Sequence, residues 1–230
     1  MRRLVAVSVG GGDDKLKCFF VASVVRLLLI LISPASKFSY TQPVFWFSIK
    51  LMEKNQTITL GGGCFWCIEA IYQRIRGVTS VESGYSGGIT ENPTMDEVYG
   101  GGTKHAEVVQ IEFDPKIITL KDILEIFFTM HDPTTLDRQG NDVGDEYRSV
   151  IFYRNDEQKA VAEDMIKNFA PTLWDDPVVT GLVKFDKFWS AGVDQQDYFN
   201  NHPEAAYCQI VINPKVQKLR QKYAERLIKD

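Results

Sequence analysis

Thr57-Ile58-Thr59-Leu60-Gly61-Gly62-Gly63-Cys64-Phe65-Trp66-Cys67 changes its periodicity in the middle. Thr57 to Leu60 alternates polar and apolar, the pattern of a short strand with one face toward a core. Three glycines break it. Beyond them Ile68, Ile71, Tyr72 and Ile75 recur at the spacing of one helix face, and Gly77 marks the end of that helix. A strand that feeds a helix through a glycine turn puts Cys64 in the first turn of the helix. Unpaired N–H groups point outward there and the helix dipole favours negative charge. A thiol so placed is expected to have a lowered pKa and to react as a thiolate. The glycines also let a substrate approach the backbone. A phosphate cradle would need Gly-Lys-Ser/Thr next, and the chain has Cys-Phe-Trp.

Cys67 follows Cys64 by three residues, a helical spacing that brings Cβ atoms to roughly 5–6 Å. A small adjustment could close a disulfide. Packing on the underside of the helix is the other reading of Cys67. Phe65 and Trp66 offer an apolar wall for a methyl group, or ordinary core.

Outward from this stretch, the pattern predicts a polar, glycine-rich loop over Ser83–Gly102 and a strand over Ala106–Phe113 that Asp114-Pro115 stops. A helix over Leu120–Met130 follows, with Ile123, Leu124, Phe127 and Phe128 on one side, then a polar loop over Thr134–Gly144. Next come a strand over Ser149–Tyr153, a helix over Glu157–Phe169 and a strand over Val178–Phe185. A strand over Tyr207–Ile212 that ends at Pro214, and a last helix over Val216–Ile228, complete the series. Strands and helices interleave without the alternation of a doubly wound sheet. The expected class is α+β, a two-layer α/β sandwich with helices packed on a mixed or antiparallel sheet and a ferredoxin-like core.

The first 51 residues differ from the rest. Met1-Arg2-Arg3 is basic, Phe19 to Ile32 is apolar apart from Arg26, and Ser33-Pro34-Ala35-Ser36 follows. The apolar run is shorter than the roughly 20 residues of a spanning helix. Three readings stand open: a signal-like segment, a weak membrane anchor, or a true start at Met52. The expected division is therefore an extension over 1–51 and a catalytic domain over 52–230. A start at Met52 implies a cytoplasmic protein. A real extension implies an exported or membrane-associated one, with membrane contact through that segment alone.

A net charge of -4 argues against a general nucleic-acid binder, which would carry a basic patch. The cysteines are Cys18, Cys64, Cys67 and Cys208. Four in a chain of 230 residues fit redox or catalytic use better than a disulfide scaffold. With one Cys-x-x-Cys and no helical pair among His105, His131 and His202, a zinc site is not expected.

Glu107 shares a strand face with Val109, Ile111 and Phe113. A carboxyl on an apolar face is costly when charged, so its pKa should rise, as suits a general acid. A place at the strand's wet end is the plainer alternative. Arg138 to Arg148 is a long polar stretch of the kind that carries function.

Taken together these residues resemble the A-type peptide-methionine sulfoxide reductases, from about Thr57 to the C-terminal helix. Gly63-Cys64-Phe65-Trp66 looks like that family's nucleophile motif. Gly84-Tyr85-Ser86-Gly87-Gly88, Asn92-Pro93-Thr94 and His105-Ala106-Glu107 follow in its order. So do His131-Asp132-Pro133, Gln139-Gly140-Asn141-Asp142 and Tyr147-Arg148-Ser149. The resemblance implies that the Cys64 thiolate attacks the sulfoxide sulfur, that Glu107 donates a proton to its oxygen with help from Tyr147, and that Asp142 shapes the site. Phe65 and Trp66 would hold the methyl group. Cys64 would become a sulfenic acid, which a second thiol converts to a disulfide. The resemblance further implies the S epimer as substrate, free or in proteins, thioredoxin as reductant, no metal or organic cofactor, and a monomer.

Three places depart from the family pattern. Met95 stands where a tyrosine is usual, so a donor to the sulfoxide oxygen is expected to be missing. Gln195 stands where a histidine is usual and is assigned no role. Cys67 stands where many members have glycine, which makes it a candidate resolving thiol, with Cys208 its rival and Cys18 least suited. Two other functions compete: a general thiol-disulfide oxidoreductase built on Cys64-x-x-Cys67, and a non-enzymatic module that binds oxidised methionine through Phe65 and Trp66.

Overall fold

A computed structural model describes residues 54–229. The extension over 1–51, Cys18 and the start at Met52 lie outside the described residues.

Strand β1 (Gln56–Gly61) leads through the glycines into helix α1 (Phe65–Tyr72). Strand β2 (Val78–Ser86) and the short helix α2 (Met95–Tyr99) precede strand β3 (Ala106–Phe113) and helix α3 (Leu120–Met130). A two-stranded ribbon of β4 (Arg138–Gln139) and β5 (Asp142–Val143) comes next, then β6 (Val150–Tyr153) and helix α4 (Asp156–Asp164). Strands β7 (Gly181–Lys184) and β8 (Phe188–Ser190), a short helix α5 (Tyr198–Asn201) and helix α6 (Asn213–Lys222) end the series.

The sheet runs β7-β6-β1-β3-β2-β8. Its inner four strands are antiparallel, with β1 between β6 and β3, and β3 between β1 and β2. That order, with α1 and α3 as the crossovers, is the split β-α-β arrangement of the ferredoxin-like core. The outer strand β7 pairs parallel to β6, so the whole sheet is mixed.

Alternation in β3 divides the two faces. Val109, Ile111 and Phe113 join Ile58, Leu60 and the buried faces of α1 and α3 in the main core. Ala106 and Val108 turn the other way, onto a smaller cluster with Val150 and Phe152. Ile111 is fully buried at the centre, and its replacement by alanine costs about 2–5 kcal/mol by leaving a cavity. Helix α3 starts at a capping box in which Thr119 and Asp122 each bind the other's backbone N–H.

Several local expectations need correction. Ser83–Ser86 is the end of β2 rather than loop, because β3 pairs with it down to Ser86. The loop after it contains α2, and the polar stretch over 134–144 contains the β4–β5 ribbon. Helix α1 ends at Tyr72, and Ile75 instead forms a bridge with Leu227. Val178–Phe185 shrinks to β7, and β8 has no counterpart in the sequence reading. The last helix ends at Lys222, with a separate turn at Ala224–Arg226.

The largest correction is Tyr207–Ile212. It is not a strand: Cys208–Ile212 is a wide helical turn that runs into α6. Cys208, Ile212, Val216 and Leu219 are all buried, and their spacing is helical. Ile210, which favours a strand locally, is left 74% exposed. Burial of one helical stripe outweighs the β-propensity of Ile210-Val211-Ile212. The π-type hydrogen bonding precedes Pro214, which has no N–H to give.

Candidate active site

The glycine turn sets the geometry. Gly63 has φ +90°, a conformation that L side chains rarely adopt, and a Cβ there would stand 2.5 Å from the Gln139 side chain. Its N–H donates to the carbonyl of Tyr147 at 3.1 Å, which ties the turn to the segment after β5. Cys64 occupies the N-cap of α1 rather than its first turn, and is buried.

Glu107 of β3 points to the helix side of the sheet and is 0% exposed. Its Oε2 accepts the Phe65 N–H at 2.9 Å, one of the free donors at the start of α1. Its Oε1 is buried with no hydrogen-bond partner. Burial pushes the Glu107 pKa up to about 8, and the Phe65 N–H and the Tyr99 hydroxyl only partly oppose that. Glu107 is therefore a neutral acid near pH 7. With Oε2 engaged as acceptor, its proton belongs on the unpartnered Oε1.

Tyr147 ends a short turn over Asp145–Tyr147. Its phenol is kept neutral by burial and by the nearby Glu107. Tyr99 of α2 lies against both, with its ring 6.3 Å from that of Tyr147. Tyr85 stands directly across from Glu107 in the β2–β3 pairing, with a buried hydroxyl that has no partner.

The thiols form a second group. The Cys67 N–H donates to the Cys64 carbonyl at 3.1 Å, which keeps the two thiols on one turn, and each shifts the other's titration. Burial raises the Cys64 thiol well above its usual pKa, with the Cys67 contact and Glu107 adding to the effect. Contact with Cys64, and the charge of Lys215, bring the Cys67 thiol down to about 7 against the opposing effect of burial. This corrects the expectation of a lowered pKa at Cys64. Of the two, Cys67 is the thiol that gives up its proton more readily.

Tyr207 connects this group to Asp142. Its hydroxyl lies 3.9 Å from Cys67 Sγ and donates to Asp142 Oδ2 at 2.8 Å. Cys208 is fully buried in the helical turn, and burial raises its thiol pKa.

The aromatic side is built around Trp66, which stacks on Tyr198 at 3.7 Å and meets the edge of Tyr207 at 6.0 Å. Phe65 is fully buried beside Tyr85, with ring centroids 5.7 Å apart. Gln195 binds its neighbour Asp194 and approaches none of these groups by hydrogen bond. Among the described residues, no group of three or more His, Cys, Asp or Glu could hold a metal ion.

The fold thus brings together Cys64, Cys67, Glu107, Tyr147, Asp142, Phe65 and Trp66. Sequence reasoning missed Tyr99, Tyr85, Tyr198, Tyr207 and Lys215 as neighbours of the thiols or the acid. For Tyr99 a signal existed: Thr94 and Glu97 form a capping box, which starts a helix inside the expected loop.

The chain is similar to known proteins over this same region. Residues 56–227 match a family model described as "Peptide methionine sulfoxide reductase". A "Peptide methionine sulfoxide reductase MsrA" of Sulfolobus acidocaldarius is 52% identical over 171 residues, which cover 74% of this chain and 97% of the relative. One of the same name from Ralstonia nicotianae is 51% identical over 177 residues, 75% of this chain and 93% of the relative. Among solved structures, reduced Mxr1 of Saccharomyces cerevisiae aligns with a TM-score of 0.59 and 32% identity. The alignment covers 67% of this chain and 90% of that one.

Proposed function

This chain belongs to the peptide methionine sulfoxide reductase family and reduces methionine sulfoxide in protein repair, and we propose that Cys64, Glu107 and Cys67 carry the reaction. The single observation that supports the assignment best is the Glu107 carboxyl, buried with its Oε1 free and its Oε2 on the Phe65 N–H, at the same helix start as the Cys64 thiol.

In the proposed sequence Cys64 passes its proton to the Cys67 thiolate and attacks the sulfoxide sulfur. Glu107 gives its proton to the sulfoxide oxygen as charge develops there. The oxygen leaves with the cysteine sulfur: thiolate, sulfoxide and one proton become sulfenic acid and thioether. Methionine departs. Cys67 then attacks the Cys64 sulfenic acid, a disulfide forms and water is released. Cys67 is favoured over Cys208 because it is held on the same turn as Cys64, its N–H bonded to the Cys64 carbonyl. A dithiol protein of the thioredoxin kind then reduces the disulfide by exchange.

In this reading three directions around the sulfur are set: by the thiol, by Glu107 at the oxygen, and by Phe65 and Trp66 at the methyl group. A stereocentre held at three points is read as one epimer, which the family resemblance makes the S form. Tyr147 donates to the same oxygen, and Asp142 acts through Tyr207.

The test is a count of methionine formed per enzyme from a methionine sulfoxide peptide without external reductant. The wild type runs beside Cys64→Ser, Cys67→Ser and Cys208→Ser. Product from the wild type and none from Cys64→Ser is expected. Cys67→Ser should make one equivalent and stop as a sulfenic acid, whereas Cys208→Ser should form the disulfide. A wild type that makes no methionine moves disulfide exchange to first place.

A further inference from the structure

We propose that Tyr99 is a substrate-touching donor to the sulfoxide oxygen, which restores from the next turn of α2 the phenol that Met95 does not supply. The inference rests on the reading of Glu107 as the acid of sulfoxide reduction.

The argument begins with the helix. Positions four apart in α2 share a face, so Met95 and Tyr99 look the same way. Met95 is half-buried and packs on the main core. Tyr99 is 42% exposed, so part of its side chain stays open to solvent. Its ring lies beside that of Tyr147. Its hydroxyl acts on Glu107 closely enough to oppose the rise in the carboxyl pKa, yet Glu107 Oε1 stays without a partner within hydrogen-bond distance. A buried, unpartnered acid oxygen with two phenols near it is a place for one more oxygen atom. The sulfoxide oxygen fits that place, because it needs donors as negative charge builds on it. Burial, Glu107 and Tyr147 all push the Tyr99 phenol upward, so it stays protonated and able to donate. Tyr99→Phe keeps the ring and its place beside Tyr147, so it removes the hydroxyl alone.

The experiment compares wild type, Tyr99→Phe and Tyr99→Phe with Met95→Tyr. It follows the first turnover on a methionine sulfoxide peptide, the alkylation rate of Cys64 by iodoacetamide, and thermal unfolding. The expected result for Tyr99→Phe is a first turnover slower by about ten- to a hundredfold, toward the lower range for loss of one donor where others remain. Alkylation and unfolding temperature should match the wild type, and Met95→Tyr should recover part of the rate. A Tyr99→Phe rate equal to the wild type overturns the proposal. So does an equal loss in alkylation, which would place Tyr99 at the thiol instead. A wild type with no methionine product defeats the reading of the reaction itself, and is seen before any variant is compared.

Discussion

The acid and the thiols meet at one helix start, and they are held by different means. Glu107 sits on the central strand β3, with its neighbours fixed by sheet pairing on both sides. The thiols sit at the N-cap and first turn of α1 and are closed over by a helical turn from the far end of the chain. Burial dominates Glu107, and it keeps a proton to about pH 8. Contact dominates Cys67, and it loses one at about pH 7. The difference teaches how one small site can keep a neutral carboxyl beside a readily ionised thiol: isolation from water stabilises the neutral acid, while a neighbouring thiol and a lysine charge lower a thiol's pKa.

The comparison breaks most visibly at Glu107. Glu107→Gln is expected to slow the first turnover by roughly 10²–10⁴, since the proton donor is gone while the amide keeps the shape. Its pH profile should change as well. In the wild type the rate rises through about pH 7 as the thiol pair loses its proton, and falls through about pH 8 as Glu107 loses its own. In Glu107→Gln the falling limb should vanish. A falling limb that persists there would assign it to another group.

Cys67→Ser tests the other side and should have a smaller effect on the first turnover. Without the partner that takes its proton, Cys64 loses about a unit of effective pKa advantage, which slows the first turnover by about tenfold near pH 7. The rising limb should move to higher pH. A rising limb left in place would put the resting charge on Cys64.

The smallest effect belongs to Tyr207→Phe. It removes the 3.9 Å contact to Cys67 and the bond to Asp142 while it keeps the ring beside Trp66. The rising limb should shift upward by less than about one unit, with the falling limb unmoved, because Glu107 is reached by neither bond. Equal shifts in both limbs would mean that the acid and thiol regions titrate as a single network.

Much of this was legible in the chain. The strand, glycine turn and helix around Cys64 are local patterns, and so are β3, α3 and the face of β3 that carries Glu107. The order of short motifs from Gly63 to Ser149 placed the acid, Tyr147 and Asp142 in one site. What the residues near each other in sequence determined is the type of each long, periodic element, and they singled out Cys64 and Glu107 as candidates.

Only the tertiary structure decided the rest. Tyr207–Ile212 has strand-forming residues, yet it is helical because the buried stripe that continues through Leu219 outweighs local preference. The pKa order of Cys64 and Cys67 follows from the contact between the thiols, from the burial of Cys64 and from the charge of Lys215, and a helix N-terminus announces neither the burial nor the lysine. Tyr99 reaches Glu107 because a short helix rises where composition suggested a loop. Periodicity is a property of neighbours along the chain, whereas desolvation and the charge on a group depend on every atom that the fold packs around it.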